Sequence, residues 1–500
     1  MNKYNLNDKQ IELKSDLAAE FPIYIYISEK KDYLLYSKSI NELLNDASVI
    51  KPLEVTIKGI SFLLQSGVVP LPHTVYKNIF IVGIGDTAKV KTVNNKIEIE
   101  FSHNFPFFNK DRDKEANVDE EYILEILAEA TISRMEKDKP AYLFHSAGKD
   151  SNSIAIALAE AGYQDKVTCI SHQSKGEKDE SEISKKIATK LGFKHQKIYE
   201  PKSLRKEQLD SISYYFENIP LPCMDNVALA YPLYATQIEF INANIIDGMG
   251  NDVYIGHIPS KLELDRQKTF SKFHRLRPIT GRFNSGTRFE IATATRSEWT
   301  GLFGISYGDT NAILTDSYDV YNYWKMEDFK KKNLDYFDFR ASLRGVLIDQ
   351  EIFTRKVRNF ADVNNANLIL PWTNEEVAKY FSKLPEKHLF DRKEFKNKLI
   401  LRKILKNRIG LDSDKLGKMA YEFDFYSVLM MMKKDVDNEI LSCKLWDRIW
   451  DRKGKGIEKV LSNLYKKIDS NHRLTGRIKA LIQRLYLVSA WYNNNKYVKR

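Results

Sequence analysis

Cysteine is scarce. The 500 residues hold three, Cys169, Cys223 and Cys443, and none stands in a Cys-x-x-Cys pair. That count and spacing argue against a disulfide framework and a structural zinc site, and a reducing cytoplasm is the expected compartment. The nine histidines show no metal-ligand spacing. Also missing is any apolar run of the roughly 18 residues that a membrane-spanning helix needs, so no membrane partner is expected. The opening MNKYNLNDKQIELKSD is polar and lacks an apolar core, so nothing in it marks the chain for export. No internal repeat or low-complexity tract is visible. What is present suits a folded chain of two or three domains. At 43% hydrophobic and 12% aromatic residues, bulk disorder is excluded.

The net charge of +11 is unevenly spread. From Pro385 to Arg500 there are 28 Lys/Arg against 14 Asp/Glu, whereas the first 384 residues sum to −3. Two readings stay open for this basic quarter. It is a solvated helical surface, or it is a basic rim around a phosphate-bearing or acidic partner.

The first hundred residues read as strands: FPIYIYIS (22–29), DYLLYS (32–37), NIFIVG (78–83) and KIEIEFS (96–102). A polar stretch from Asn109 to Val118 reads as a linker. The period then changes. Ile123, Ile126, Leu127, Ala130 and Ile132 fall at helical spacing. After them come strand AYLFHS, helix SNSIAIALAEAG, strand KVTCIS, helix DESEISKKIATKLG, strand FKHQKIYE and strand ANIIDG. This alternation predicts an α/β fold, a doubly wound parallel sheet with helices on its faces. Beyond about residue 330 the chain reads as helices. The predicted domains are a small β-rich one over 1–115 and an α/β one over 119–500.

The loop Ser146-Ala147-Gly148-Lys149-Asp150-Ser151 joins a buried strand to a helix predicted to begin at Ser151. Such a junction offers free backbone N–H groups and a positive dipole to an anion. Gly148 lets the backbone approach a phosphate, and the two serines add donors. Asp150 would repel a phosphate unless a cation sits between, which suggests Mg²⁺ bridging the two. A tight turn with Ser/Asp caps accounts for the same residues.

This segment resembles the S-G-G-x-D-S pyrophosphate loop of the N-type ATP pyrophosphatases, with Ala147 in place of a glycine. Further segments resemble one branch, the asparagine synthetase-like amide synthetases. They are IIDGMGNDVYIG (for G-E-G-x-D-E-x-x-G), LPWTNEEVAKYFSKLP, and NKLILRKIL followed by DKLGKMAYEFDF. The resemblance covers about 120–430. It implies that ATP is bound by Ser146–Ser151 with Gly248 and Gly250, with adenine near Ile170 and Ser171. It implies Mg²⁺ on Asp150 and Asp252, with Asp252 and Lys418 in the chemistry. Arg355 and Lys356 are weaker phosphate candidates, and Asp179 and Glu180 read as helix caps. His145 reads as a strand-end residue and Cys223 as a packed thiol. Met249 and Val253 stand where the family carries acidic residues, which puts ammonia-dependent asparagine formation in doubt.

ISFLLQSGVVPLPHTVYKNIFIVGIGDTAKV resembles the end of the glutaminase-type domain that precedes the synthetase in this family. That domain opens with a nucleophilic cysteine after Met, but position 2 here is Asn. The resemblance implies a reduced, glutaminase-dead domain, as in the branches resembling β-lactam synthetases and lasso-peptide cyclases. That domain is expected to serve as a lid or a homodimer surface. The expected partners are small-molecule or peptide carboxylates and amines, with nucleic acid not expected. Two alternatives remain: a nucleic-acid modifier resembling tRNA-lysidine synthetases, and a degenerate nucleotide-binding scaffold.

Overall fold

A computed structural model describes residues 1–499 apart from 174–178, 417–422, 447–455 and 471–473. The N-terminal part contains β1 (Asn2–Asn5), β2 (Ile11–Lys14), β3 (Ile23–Ile27), β4 (Tyr33–Ser37), β5 (Ile79–Val82), β6 (Asp86–Val93) and β7 (Lys96–His103). They form two antiparallel sheets, β1-β4-β3-β5 and β2-β6-β7. The run IYIYI of β3 lacks polar alternation because both of its faces are covered. Ile23, Ile25 and Ile27 meet the second sheet through Ala88, Val90 and Ile97. Tyr24 and Tyr26 meet two helices, α1 (Ile40–Asn45) and α2 (Ile57–Ser66). These helices correct the all-strand reading of the first hundred residues. Helix α2 is set by local chemistry: Thr56 caps its start by accepting from the Gly59 amide, and Gly67 ends it at φ 81°.

The polar stretch 109–118 is not a free linker. Arg112 is buried, and its guanidinium donates to the carbonyls of Phe381, Ser382 and Leu384 at 3.1–3.3 Å and of Tyr254 at 2.5 Å. It caps the end of the helix Glu375–Lys383, where carbonyls lack helical partners.

The second part is built on α3 (Glu120–Ile132), β8 (Ala141–Phe144), α4 (Lys149–Glu160), β9 (Val167–Gln173), α5 (Ser181–Lys190), β10 (Lys194–Tyr199), α6 (Lys206–Asn218), β11 (Asn244–Ile246) and β12 (Asn367–Ile369). The five strands are parallel, in the order β10-β9-β8-β11-β12. Residues alternate between the faces. Leu143, Cys169 and Ile246 face α3 and α4, while Ile170, Ile198 and Ile245 face Ala230, Tyr234 and Phe360. The chain winds outward from β8 through β9 to β10, then returns to place β11 on the other side of β8. The order reverses between β8 and β11, and the loops that leave their carboxyl ends flank one crevice. Among the described residues, no helix is long and apolar enough to cross a membrane.

The last helix, Thr475–Asn494, shares a core with the N-terminal helices and with α6. The strap after it is hydrogen-bonded to Leu53, whose amide donates to the Tyr497 carbonyl and whose carbonyl accepts from the Lys499 amide.

Candidate active site

Helix α4 begins two residues earlier than expected, at Lys149 with Gly148 as its cap. Lys149, Asp150 and Ser151 therefore form its first turn, where amides have no helical acceptor and an anion is favoured. The loop is held open from within. The Gly148 amide donates to Ser146 Oγ (3.0 Å), the Ser146 amide donates to Ser151 Oγ (3.2 Å), and the two hydroxyls lie 3.2 Å apart. Asn152 Nδ2 donates to the Ser146 and Gly148 carbonyls at 3.0 and 2.6 Å. His145 is buried between Ser184 Oγ (2.7 Å) and Asn152 Oδ1 (2.9 Å). Burial lowers its pKa to about 4, so it is a neutral brace. Glu180 stands at the start of α5 without capping it by its side chain; its Oε2 accepts instead from the Ala147 amide at 3.1 Å.

The second loop approaches the first closely. A methyl group on Gly248 would lie 3.0 Å from the Ser151 amide nitrogen, so a side chain there would press on the phosphate loop. Gly250 sits at φ 111° with its open side on Thr373 Cγ2, at 2.3 Å from a built Cβ. Its contact is thus with the strand-end turn beyond β12. Asn251 Nδ2 donates to Asp150 Oδ1 at 2.6 Å.

The two expected metal carboxylates converge. Lys398 Nζ lies 2.7 Å from Asp150 Oδ2 and 2.8 Å from Asp252 Oδ1. Burial alone would lower the lysine's pKa, but the two carboxylates raise it well above its usual value. Burial alone would likewise raise Asp252, yet Lys398, with His257 and Arg344 nearby, holds it well below the carboxylate range. Lys398 heads the helix Leu399–Ile409 in a left-handed conformation, φ 58°, which turns its side chain inward. Residue types in NKLILRKIL do not single this lysine out. Lys418, the lysine the resemblance implies, lies outside the described residues. Among the described residues no three His, Cys, Asp or Glu side chains cluster as a metal site. Two hard oxygen donors around one cation position do suit Mg²⁺, which takes its remaining ligands from phosphate and water.

Two cavities meet at the loop. One, of about 390 Å³, is lined by Phe144, Ile170, Tyr231, Tyr234 and Phe353 and opens onto Ser146, Asp150 and Gly248. Ser171 also lines it, with its hydroxyl 2.8 Å from His195 Nε2. Besides Asp150, three charged groups border it: Lys356 Nζ is 2.7 Å from Asp225 Oδ2, and Asp247 has its pKa raised by burial to about 6. Arg355 points elsewhere, to Glu351 and the Tyr24 hydroxyl. Met249 packs against the apolar wall of this cavity. Cys223 is buried with its thiol donating to the Ile352 carbonyl, and burial pushes its pKa to about 12.

The other cavity, of about 810 Å³, lies across Asp150 and Asp252 and is lined with cations, among them Lys149, Lys261, Arg344, Lys398 and Arg402. Burial, then Arg402 and Lys398, lower Lys149 to about 8. On its wall Arg340 donates to His257 Nδ1 and grips Glu263 through two bonds. That leaves the His257 proton on Nε2, 2.6 Å from Asp349 Oδ2. Arg344 donates to the Thr300 carbonyl at 2.7 Å and buries its Nε without a hydrogen-bond partner among the described residues.

The two loops thus meet at the topological switch point of the sheet, with an apolar cavity on one side and a polar chamber on the other. No curated protein matches the chain. The family model described as asparagine synthase matches residues 122–413, more than half of the chain. Its span runs from α3 through both loops to the helix headed by Lys398. The chain therefore belongs to the asparagine synthase family of ATP-dependent, amide-forming ligases.

Proposed function

We propose that this ligase converts a substrate carboxylate to its acyl-adenylate and passes the acyl group to an amine. The convergence of Asp150, Asp252 and Lys398 beside an apolar, nucleotide-sized cavity carries this reading. The base of ATP stacks among Phe144, Ile170, Tyr231 and Tyr234. Its β- and γ-phosphates lie on the first turn of α4. Mg²⁺ held by Asp150 and Asp252 would neutralise charge on the phosphates as pyrophosphate leaves. Lys149, Lys398 and Arg402 supply further positive charge on that side.

A carboxylate oxygen of the substrate attacks the α-phosphorus, and the bond to the β-phosphate breaks. Arg344, with its buried unpartnered Nε, holds the substrate on the side of the polar chamber. The amine nitrogen then attacks the acyl carbon and AMP departs. Met249 cannot accept the amine's proton. Asp247, two residues earlier and poised near pH 6 in the same cavity, is the carboxylate available to take it. The N-terminal sandwich carries Asn2 where a glutaminase has its nucleophile, so the amine does not come from glutamine there. The cysteines Cys169, Cys223 and Cys443 are free and buried, which suits a reducing compartment.

The test is exchange of labelled pyrophosphate into ATP across a panel of carboxylic acids. One or more acids should support exchange, and Asp150→Asn should abolish it while the protein remains folded. Exchange undiminished in that variant refutes the assignment.

A further inference from the structure

The segment after the Asp252 loop is folded inside out. Its chain makes a 3-10 stretch (Ser271–Leu276) that runs directly into an α-helical turn (Arg277–Thr280). The residues facing inward are polar. Arg277 is buried, with Nη2 2.7 Å from Glu298 Oε1 and Nη1 3.7 Å from Glu290 Oε1, and the buried Thr280 hydroxyl meets that of Thr293. The residues facing outward, three or four apart, are Phe273, Leu276, Ile279 and Phe283, which are 49–60% exposed. Phe289 continues this surface at 72% exposure. A helix on the surface of a soluble protein shows the reverse arrangement. Large apolar side chains gathered on a surface, while an arginine is buried beneath them, mark a place where something else binds.

Charge narrows the occupant. Lys272, Arg275, Arg282 and Arg288 are exposed among these apolar residues, and over 261–289 Asp265 is the sole exposed acidic residue. A second copy docked by two-fold symmetry would set these cations against themselves. Nucleic acid would meet the cations and stack on the phenylalanines, but it has no use for the aliphatic Leu276 and Ile279. An anionic bilayer surface satisfies both sets. Its headgroup phosphates take the Lys and Arg side chains, and its acyl boundary, a few ångströms deeper, takes Phe, Leu and Ile.

We propose that residues 272–289 seat this protein on the surface of an anionic lipid bilayer. The sequence reading expected no membrane partner because no spanning run exists, but an interfacial helix needs none. Lys261, which lines the polar chamber, heads the helix Lys261–Phe270 that leads into this stretch.

The experiment is co-sedimentation of the full chain with vesicles of phosphatidylglycerol mixed into phosphatidylcholine, against phosphatidylcholine alone. The expected result is binding to the anionic vesicles, weakened on going from about 0.1 M to about 1 M salt, where the screening length falls roughly threefold. The triple variant Phe273→Ser, Ile279→Ser, Phe283→Ser changes exposed residues and should keep its melting temperature. It should lose affinity by about tenfold or more per side chain. If that variant melts early, Arg275→Glu with Arg282→Glu takes its place and should abolish the preference for anionic vesicles. The proposal is overturned by absence of binding to anionic vesicles. It is also overturned by equal binding of a folded triple variant, or by unchanged anionic preference in the charge variant. Tighter binding to an acidic, leucine-containing peptide than to vesicles would make the partner a protein and overturn it too.

Discussion

Replacing Lys398 by Met tests the centre of the site. The substitution keeps the volume and removes a cation that lies within 2.8 Å of both Asp150 and Asp252. Removing one partner of a buried ion pair costs about 3–5 kcal/mol. Asp150 and Asp252 keep 27% and 44% of their side-chain surface open to the cavity, so water screens part of the loss. A cost of about 2–3 kcal/mol is the reasoned value, or roughly 2–3 °C in melting temperature for a chain of this size. The pH dependence has a definite sign. In the wild type, Asp252 titrates far below its unfolded value, so its contribution is complete above about pH 4 and is lost as pH falls. In the variant the two carboxylates face each other without a cation, and their folded pKa values rise. Their ionisation then destabilises the fold as pH rises. The gap between variant and wild type should therefore be smallest well below about pH 4, where the carboxylates are protonated, and should widen further toward pH 7 as the variant's carboxylates ionise. Mg²⁺ should narrow it at pH 7, because the two carboxylates, freed of the ammonium, hold a divalent cation more tightly than in the wild type. At ten times its dissociation constant it would return about 1.4 kcal/mol. The assay is thermal melting of both proteins at acid and neutral pH, with and without millimolar Mg²⁺. A variant that melts like wild type at pH 7, or that ignores Mg²⁺, refutes the shared-cation geometry.

Lys149, with its pKa lowered to about 8, should make pyrophosphate binding weaken as pH rises through 8, because the protonated form attracts the anion. Titration calorimetry across pH 7–9 reads this, and Lys149→Met should flatten the profile; a flat wild-type profile would remove Lys149 from the phosphate site. Incubation with glutamine and ATP should release no glutamate above a blank without protein, since Asn2 offers no nucleophile. Steady glutamate release would mean that the N-terminal sandwich keeps a glutaminase site.

The parallel sheet was legible because helix and strand periods alternate cleanly from residue 120 onward, and the phosphate loop because its residue types are few and ordered. What escaped the sequence depends on partners distant along the chain. Arg112 sits in a stretch whose composition reads as solvated, and composition cannot show that four carbonyls wait for its guanidinium. Glu180 looks like a cap because its reach to the Ala147 amide is a contact between adjacent strand ends. Lys398 was hidden by abundance: in a lysine-rich quarter, nothing in residue type separates the one lysine turned inward by a left-handed backbone. The stretch 271–283 shows the deepest limit. A hydrophobic period reveals that a helix has an apolar face, and it carries no sign to say whether that face turns inward. Burial of Arg277 by Glu298 and Glu290 decides it, through residues about 13 and 21 positions further on.

The core shared by α2 and the helix Thr475–Asn494 has a bearing on how the chain is made. Leu63 and Leu64 of α2 pack in the same cluster as Leu481, Leu485 and Trp491, roughly 400 residues later. At about 5–20 residues per second, a ribosome needs about 20–80 s to deliver the last helix after α2 has emerged. For that interval the side of α2 that meets the last helix has no cover. The nascent N-terminal sandwich must therefore be sheltered by a chaperone or stay partly open until that helix arrives, so a segment made early is sealed late.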